Sequence, residues 1–203
     1  MLVAVVEGDG LHPVNEVRKA FGTTPIPIEY IIAPNDPVLR EVVTFPLLLD
    51  AIKSTDYAEA TFYAHTKGNS TADSELGSEF WRNAMYHHLL DHVEVCRDLL
   101  MSHPCVGTHK LVWKQNERSP FPSKLNVGCW MYAGTYFWFR HKDVFSTDKW
   151  CEVPKDRYGA EAWLSTLFHP DDAATVFQPW MACQYPLTSP YEPSLYRWPI
   201  RDP

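Results

Sequence analysis

Ala60-Thr61-Phe62-Tyr63-Ala64-His65-Thr66-Lys67-Gly68-Asn69-Ser70 is the stretch on which the reading of the fold turns. Thr61 to Ala64 is mostly apolar and reads as a buried strand. It stops at His65-Thr66-Lys67, a run of hydrogen-bond donors, followed by Gly68, which permits positive φ. In an open α/β sheet, ligands sit outside the carboxyl ends of the strands. Donors gathered at such an end can face a polyanion, and a glycine lets the backbone approach it. The plain alternative is a strand leaving the core into a polar turn.

Upstream, Leu2 to Val6 is a short apolar run that reads as a strand buried on both faces. Glu7-Gly8-Asp9-Gly10 ends it in a tight loop, and Asp9 there is placed to hold a ribose or simply to shape the turn. The dinucleotide fingerprint of three spaced glycines is absent. Pro13 to Phe21 has helical spacing after a proline start, and Ile26 to Ala33 reads as a second strand. Glu41 to Ser54 carries Val42, Phe45, Leu48, Leu49 and Ile52 at helical spacing, with Pro46 marking a start or restart. The order β-α-β-α-β predicts a doubly wound, mostly parallel sheet flanked by helices. The loops at Glu7 to Gly10 and His65 to Ser70 would then share one rim.

Downstream, Ser78 to Met101 reads as the longest helix, with Met85, Leu89, Val93, Cys96 and Leu100 as its buried stripe. Trp81 and Arg82 lie in its first turns, where they could wall a pocket and reach a phosphate. His87, His88 and His92 share the helix. His88 and His92 have the i,i+4 spacing of a metal pair, but no third ligand accompanies them, so no metal site is assigned. Val106 to Val112 reads as a strand, residues 113 to 126 as a long loop, and Thr135 to Phe139 as a strand behind Gly134. Asp156 is a candidate N-cap for a helix whose first turn holds Glu161, and Ala174 to Gln178 is a last strand. Residues 1–180 read as one domain and 181–203 as a Pro- and aromatic-rich extended tail packed on it.

Composition narrows the function classes. The chain has 203 residues, 45% hydrophobic, and a net charge of -7, which disfavours a general nucleic-acid footprint. Its 8 Trp, 10 Tyr and 10 Phe suit core packing and equally suit a site that stacks on flat rings or sugar faces. The five cysteines, at 96, 105, 129, 151 and 183, form no C-x-x-C. Reduced thiols and a soluble, cytoplasmic protein are the simplest expectation. No apolar run reaches the ~20 residues of a membrane span.

Four motifs in order carry a resemblance. Tyr63-Ala64-His65-Thr66-Lys67-Gly68 resembles the Tyr-x-His-Thr-Lys-Gly signature of a group of glycosyltransferases from bacteria, phages and large viruses. Glu41 with Thr44-Phe45-Pro46-Leu47-Leu48 is similar to the family's preceding helix, and Trp81-Arg82 to its Trp-Arg pair. Gly134-Thr135-Tyr136-Phe137-Trp138-Phe139-Arg140, followed by Arg157-Tyr158-Gly159-Ala160-Glu161-Ala162-Trp163, resembles its last piece, a strand run and the helix after it. The resemblance implies a GT-A-like, Rossmann-type nucleotide-diphospho-sugar transferase fold.

It also implies roles. His65, Thr66, Lys67, Gly68 and Arg82 would hold the donor diphosphate, and Asp9 would sit near the nucleoside. Trp81, Gly134, Thr135, Tyr136, Trp138 and Arg157 would form the sugar and acceptor pocket. Glu161 would be the base, with Asp156 as the alternate. Such folds usually carry an Asp-x-Asp that holds Mn²⁺ or Mg²⁺; this chain lacks it at the corresponding strand end, so the divalent metal stays open. The partners implied are a nucleotide-sugar donor and a glycan or other hydroxyl acceptor. Phage relatives make hydroxymethylated pyrimidines in DNA one such acceptor, with Lys110, Lys114, Arg118 and Lys124 as a basic face. A non-catalytic sugar or nucleotide binding module is the competing class.

Overall fold

The computed structural model describes residues 1–8, 11–53, 59–65, 75–113 and 129–177, with the backbone alone for 75–80. Asp9, Thr66, Lys67, Gly68, Lys114, Arg118, Lys124, Cys183 and the tail lie outside the described residues.

Strand β1 (Leu2–Glu7) runs into helix α1 (Val14–Phe21) and on to β2 (Glu29–Pro34), which pairs with β1 in parallel. The connection is held at its start by Glu7, whose Oε1 accepts the N–H of Val14 at 2.8 Å and so satisfies one of the helix's open donors. Gly22, at φ 58, closes α1 by donating to Arg18 and Lys19 carbonyls. A 3-10 turn (Arg40–Val43) precedes α2 (Phe45–Ile52), which carries Pro46 in its first turn, where the sequence predicts a start. Strand β3 (Ala60–Tyr63) follows.

Here the structure departs from the predicted parallel sheet. Among the described residues β1 pairs only with β2, while β3 belongs to a four-stranded sheet of order β3-β7-β4-β8. Its other members are β4 (Cys105–Thr108), β7 (Phe137–Arg140) and β8 (Ala173–Phe177). β7 runs antiparallel to both β3 and β4, and β4 runs parallel to β8. The protein is therefore mixed α/β with small, partly parallel sheets. The carboxyl ends of β3, β4 and β8 lie along one edge, where β7 begins.

Alternation along β7 builds two cores. Phe137 and Phe139 face a cluster with Phe45 and Leu49 of α2, Tyr63 of β3, and Trp163 and Leu164 of α6 (Gly159–Leu167). Tyr136 and Trp138 face the other side, with Trp81 and Met85 of α3 (Glu75–Tyr86) and Cys96 and Leu100 of α4 (Val93–Leu100). Helices thus cover both faces of the sheet, a three-layer arrangement.

Three predicted elements are split. The predicted helix over 78 to 101 is interrupted by a π turn (His87–Asp91) and by His92 at φ -114, ψ 43. The wider turn shifts the helical phase, so Val93 leaves the predicted buried stripe and is 44% exposed. The predicted strand from Val106 to Val112 breaks at His109, which takes φ 54. β5 (Lys110–Val112) then pairs with β6 (Trp130–Tyr132) in a separate sheet. The strand predicted over Thr135 to Phe139 starts only at Phe137, because Thr135 takes φ 60. A short α5 (His141–Phe145) follows it.

Candidate functional site

Tyr63 is the last residue of β3 to pair with β7, opposite Phe137. The chain then leaves the sheet and presents His65 at the carboxyl edge. Two bonds tie His65 to the turn that opens β7. The Tyr136 hydroxyl donates to the His65 carbonyl at 2.7 Å, and His65 Nε2 lies 3.0 Å from the Gly134 carbonyl. A carbonyl only accepts, so Nε2 carries a proton and the other ring nitrogen, Nδ1, faces the Glu41 carboxylate at 3.9 Å. From the opposite side Glu161, in the first turn of α6, accepts the Gly134 N–H at 3.3 Å. An anion in that turn is favoured by the helix dipole. Residues from the 3-10 turn, the end of β3, the β6–β7 turn and α6 thus meet around one glycine.

The glycine is required. Gly134 has φ +100, and a Cβ there would lie 2.9 Å from Met85 Sδ and 3.0 Å from Trp81 Cζ2. Thr135 next to it is a β-branched residue at φ 60, an outlier conformation that costs about 1–3 kcal/mol. Its hydroxyl is buried and has no hydrogen-bond partner among the described residues. Strained backbone of this kind clusters at functional sites.

The electrostatics are concentrated in two phenols. Burial pushes the Tyr63 hydroxyl well above its ordinary value, and the Glu41 and Glu161 carboxylates, then Tyr136, push it further. Two carboxylates from distant segments therefore flank one buried phenol. Burial and then Tyr86 raise Tyr136, with the Arg82 guanidinium opposing. Both phenols stay protonated at neutral pH, and that of Tyr136 donates to the His65 carbonyl. Glu41 and His65 are each 18% exposed at the side chain, so the open side of the cluster is the one these two form.

The predicted site residues separate accordingly. His65, Gly134, Thr135, Tyr136, Glu161 and Trp81 gather here, with Arg82 alongside. Gly134, Thr135, Tyr136 and Trp81 are buried, so they form the underside of the cluster and not an open floor for a sugar. Trp138 lies further along β7, its indole N–H donating to the Leu89 carbonyl at 2.8 Å and its ring against Phe62. Asp156 shapes the turn before α6: its carboxylate accepts the Tyr158 N–H and its carbonyl the Gly159 N–H. The N-cap position is Tyr158, not Asp156. Arg157 is exposed and lies over the Tyr158 ring. Lys110 donates to the Pro170 and Ala173 carbonyls at 3.0 and 2.7 Å, so its charge is tied to the fold and not to a basic face.

Glu41 and Tyr63 received no role from the sequence reading. Both stood inside quoted motifs, and only the tertiary contacts show that they face His65 and the two carboxylates. Among the described residues no group of three His, Cys, Asp or Glu side chains is placed to hold a metal ion. No helix among these residues is long and apolar enough to cross a membrane. Comparison with protein-family models, with curated proteins and with solved structures finds no match to this chain.

Proposed function

We propose that the chain is a glycosyltransferase that moves a sugar from a nucleotide-sugar donor to an acceptor hydroxyl, on a GT-A-like, Rossmann-type frame. The observation that carries this reading is the convergence of His65 and Glu161 on Gly134 at the carboxyl edge of β3. Ligands of open α/β proteins bind at that edge. The parallel β1–α1–β2 unit is consistent with the frame.

In this reading the departing nucleoside diphosphate is stabilised by donors and cations presented as its charge develops: His65, Thr66, Lys67 and Arg82. Glu161 takes the proton from the acceptor hydroxyl. Glu41, on the far side of His65, is the counter-charge for that imidazole when it is protonated.

One observation favours a second reading. Glu161 is 8% exposed and bonded to backbone, which also suits a carboxylate that merely holds the turn of a non-catalytic binding module. Glu161→Gln separates the two, because its amide oxygen can still accept from Gly134. A thermal-shift panel of nucleotide sugars, with and without chelator, comes first. Ligand at ~100 times its dissociation constant should add about 2.7 kcal/mol. With the donor so found, the transferase reading expects Glu161→Gln to keep the shift and lose transfer. Transfer at the wild-type rate would remove Glu161 as base. No shift with any nucleotide sugar would overturn both readings.

A further inference from the structure

The π turn His87–Asp91 does something the i,i+4 rule does not anticipate. A turn with one extra residue brings His87 and His92 together, and their Nε2 atoms lie 3.2 Å apart. The rings are nearly perpendicular, at 87°, with centroids 4.6 Å apart, so the two nitrogen edges converge and do not meet head-on. His88, the residue that sequence spacing pairs with His92, is turned inward and stacks on Phe177 at 4.2 Å.

The outer nitrogens of the pair both face carboxylates. His87 Nδ1 lies 3.1 Å from Asp91 Oδ2, and His92 Nδ1 lies 3.6 Å from Glu94 Oε1. Asp91 accepts, so it holds the His87 ring proton at Nδ1 and leaves His87 Nε2 as a lone pair, while Glu94 at 3.6 Å is a negative charge beside His92 and not a hydrogen bond. The two Nε2 atoms, 3.2 Å apart, are at hydrogen-bond distance, so one positive centre is shared between them. A proton can be that centre, and so can a metal ion. Two nitrogens each about 2.0–2.1 Å from zinc and separated by 3.2 Å subtend about 100° at the ion, close to tetrahedral. A carboxylate behind each ligating imidazole is the outer shell that metal-bound histidines use.

We propose that His87 and His92 form a surface site for a divalent ion of the zinc or copper class, coordinated through both Nε2 atoms. Imidazole pairs select such ions over magnesium or calcium. Among the described residues no third His, Cys, Asp or Glu joins the pair, and water can complete the coordination. The side chains of His87, Asp91, His92 and Glu94 are 39%, 69%, 47% and 56% exposed, so an ion reaches them directly from solvent. The charged groups facing the site are Asp91 and Glu94, which favour a cation. The third imidazole, His88, is held neutral by its burial and by the other two rings, which push it down to about 4.

The test is calorimetric titration of the full chain with Zn²⁺, using His87→Ala, His92→Ala, Asp91→Asn and a His12→Ala control. One binding event is expected, lost in the first two variants and kept in the control. Asp91→Asn should weaken it by about 10- to 100-fold, the usual effect of removing an outer-shell partner. Binding should weaken on acidification, because protons compete for the same nitrogens. Copper(II) electron paramagnetic resonance on the unaltered chain should show nitrogen hyperfine structure from two imidazoles, a readout independent of how the variants fold. Zinc binding unchanged in both alanine variants, no zinc binding at all, or a copper spectrum without imidazole nitrogen would overturn the site.

Discussion

His109 is the residue through which acid should act on this fold. It sits at the break between β4 and β5, is 2% exposed, and packs its ring edge-on against Trp81 and Phe177. Burial, with His88 adding to it, pushes its pKa down from 6.5 to about 3. The native state therefore binds fewer protons than the unfolded state between these values. Stability is whole above about pH 6.5 and is lost as the pH falls toward 3. At about pH 5 an unfolded histidine is almost fully protonated and His109 is not, a difference of about 1.5 pKa units or ~2 kcal/mol. For a chain of this size that is a fall of roughly 4–8 °C in Tm from this one side chain. Other buried histidines add to the slope, so the assay compares two proteins. Urea unfolding of wild type and His109→Asn is followed from about pH 7.5 to about pH 5; asparagine tolerates the positive φ. The variant starts less stable, but should lose ~2 kcal/mol less over the interval. Parallel stability curves for the two proteins would refute the reasoning.

Other perturbations test the backbone. A Cβ on Gly159 would lie 1.9 Å from the Pro154 carbonyl oxygen, so Gly159→Ala should yield no cooperatively folded protein by circular dichroism. At Gly107 the added Cβ meets the Tyr132 ring at 2.6 Å, and Gly107→Ala should cost about 1–3 kcal/mol in chemical denaturation. Thr135→Gly removes a buried methyl but relieves both the positive φ and the buried hydroxyl. It should leave stability within about 1 kcal/mol of wild type, against the 2 or more that truncating a well-fitted core residue usually costs. A larger loss would show that Thr135 is not strained.

Much of the local structure is legible in the sequence. Periodicity and proline placement give β1, α1, the restart at Pro46 and the strand before His65. What periodicity does not carry is direction and partner. An apolar run such as Phe137-Trp138-Phe139 announces a buried strand, but its place between β3 and β4, antiparallel to both, is settled by contacts far apart in sequence. The same limit hides Glu41, whose approach to His65 spans two intervening elements. The π turn has no composition of its own, so a helix with an even stripe was the reasonable expectation, and Val93 was placed in the core. His109 likewise carries no mark of its positive φ. At the site, the sequence points to the cluster of His65, Gly134 and Glu161. Asp156, Arg157 and Trp138 lie apart from that cluster, in a turn, on the surface and further along a strand, and these short-range duties do not show in a motif.

Gly134 meets its two neighbours through different peptide planes. Glu161 holds the N–H of the plane before its Cα, and His65 the carbonyl of the plane after it. The planes are joined at the residue with the fewest torsional barriers. Rotation about ψ re-aims the acceptor offered to His65 while leaving the donor offered to Glu161 in place, and rotation about φ does the reverse. The imidazole and the carboxylate are thus mounted on one swivel with two independent axes, so each can be adjusted without dragging the other along.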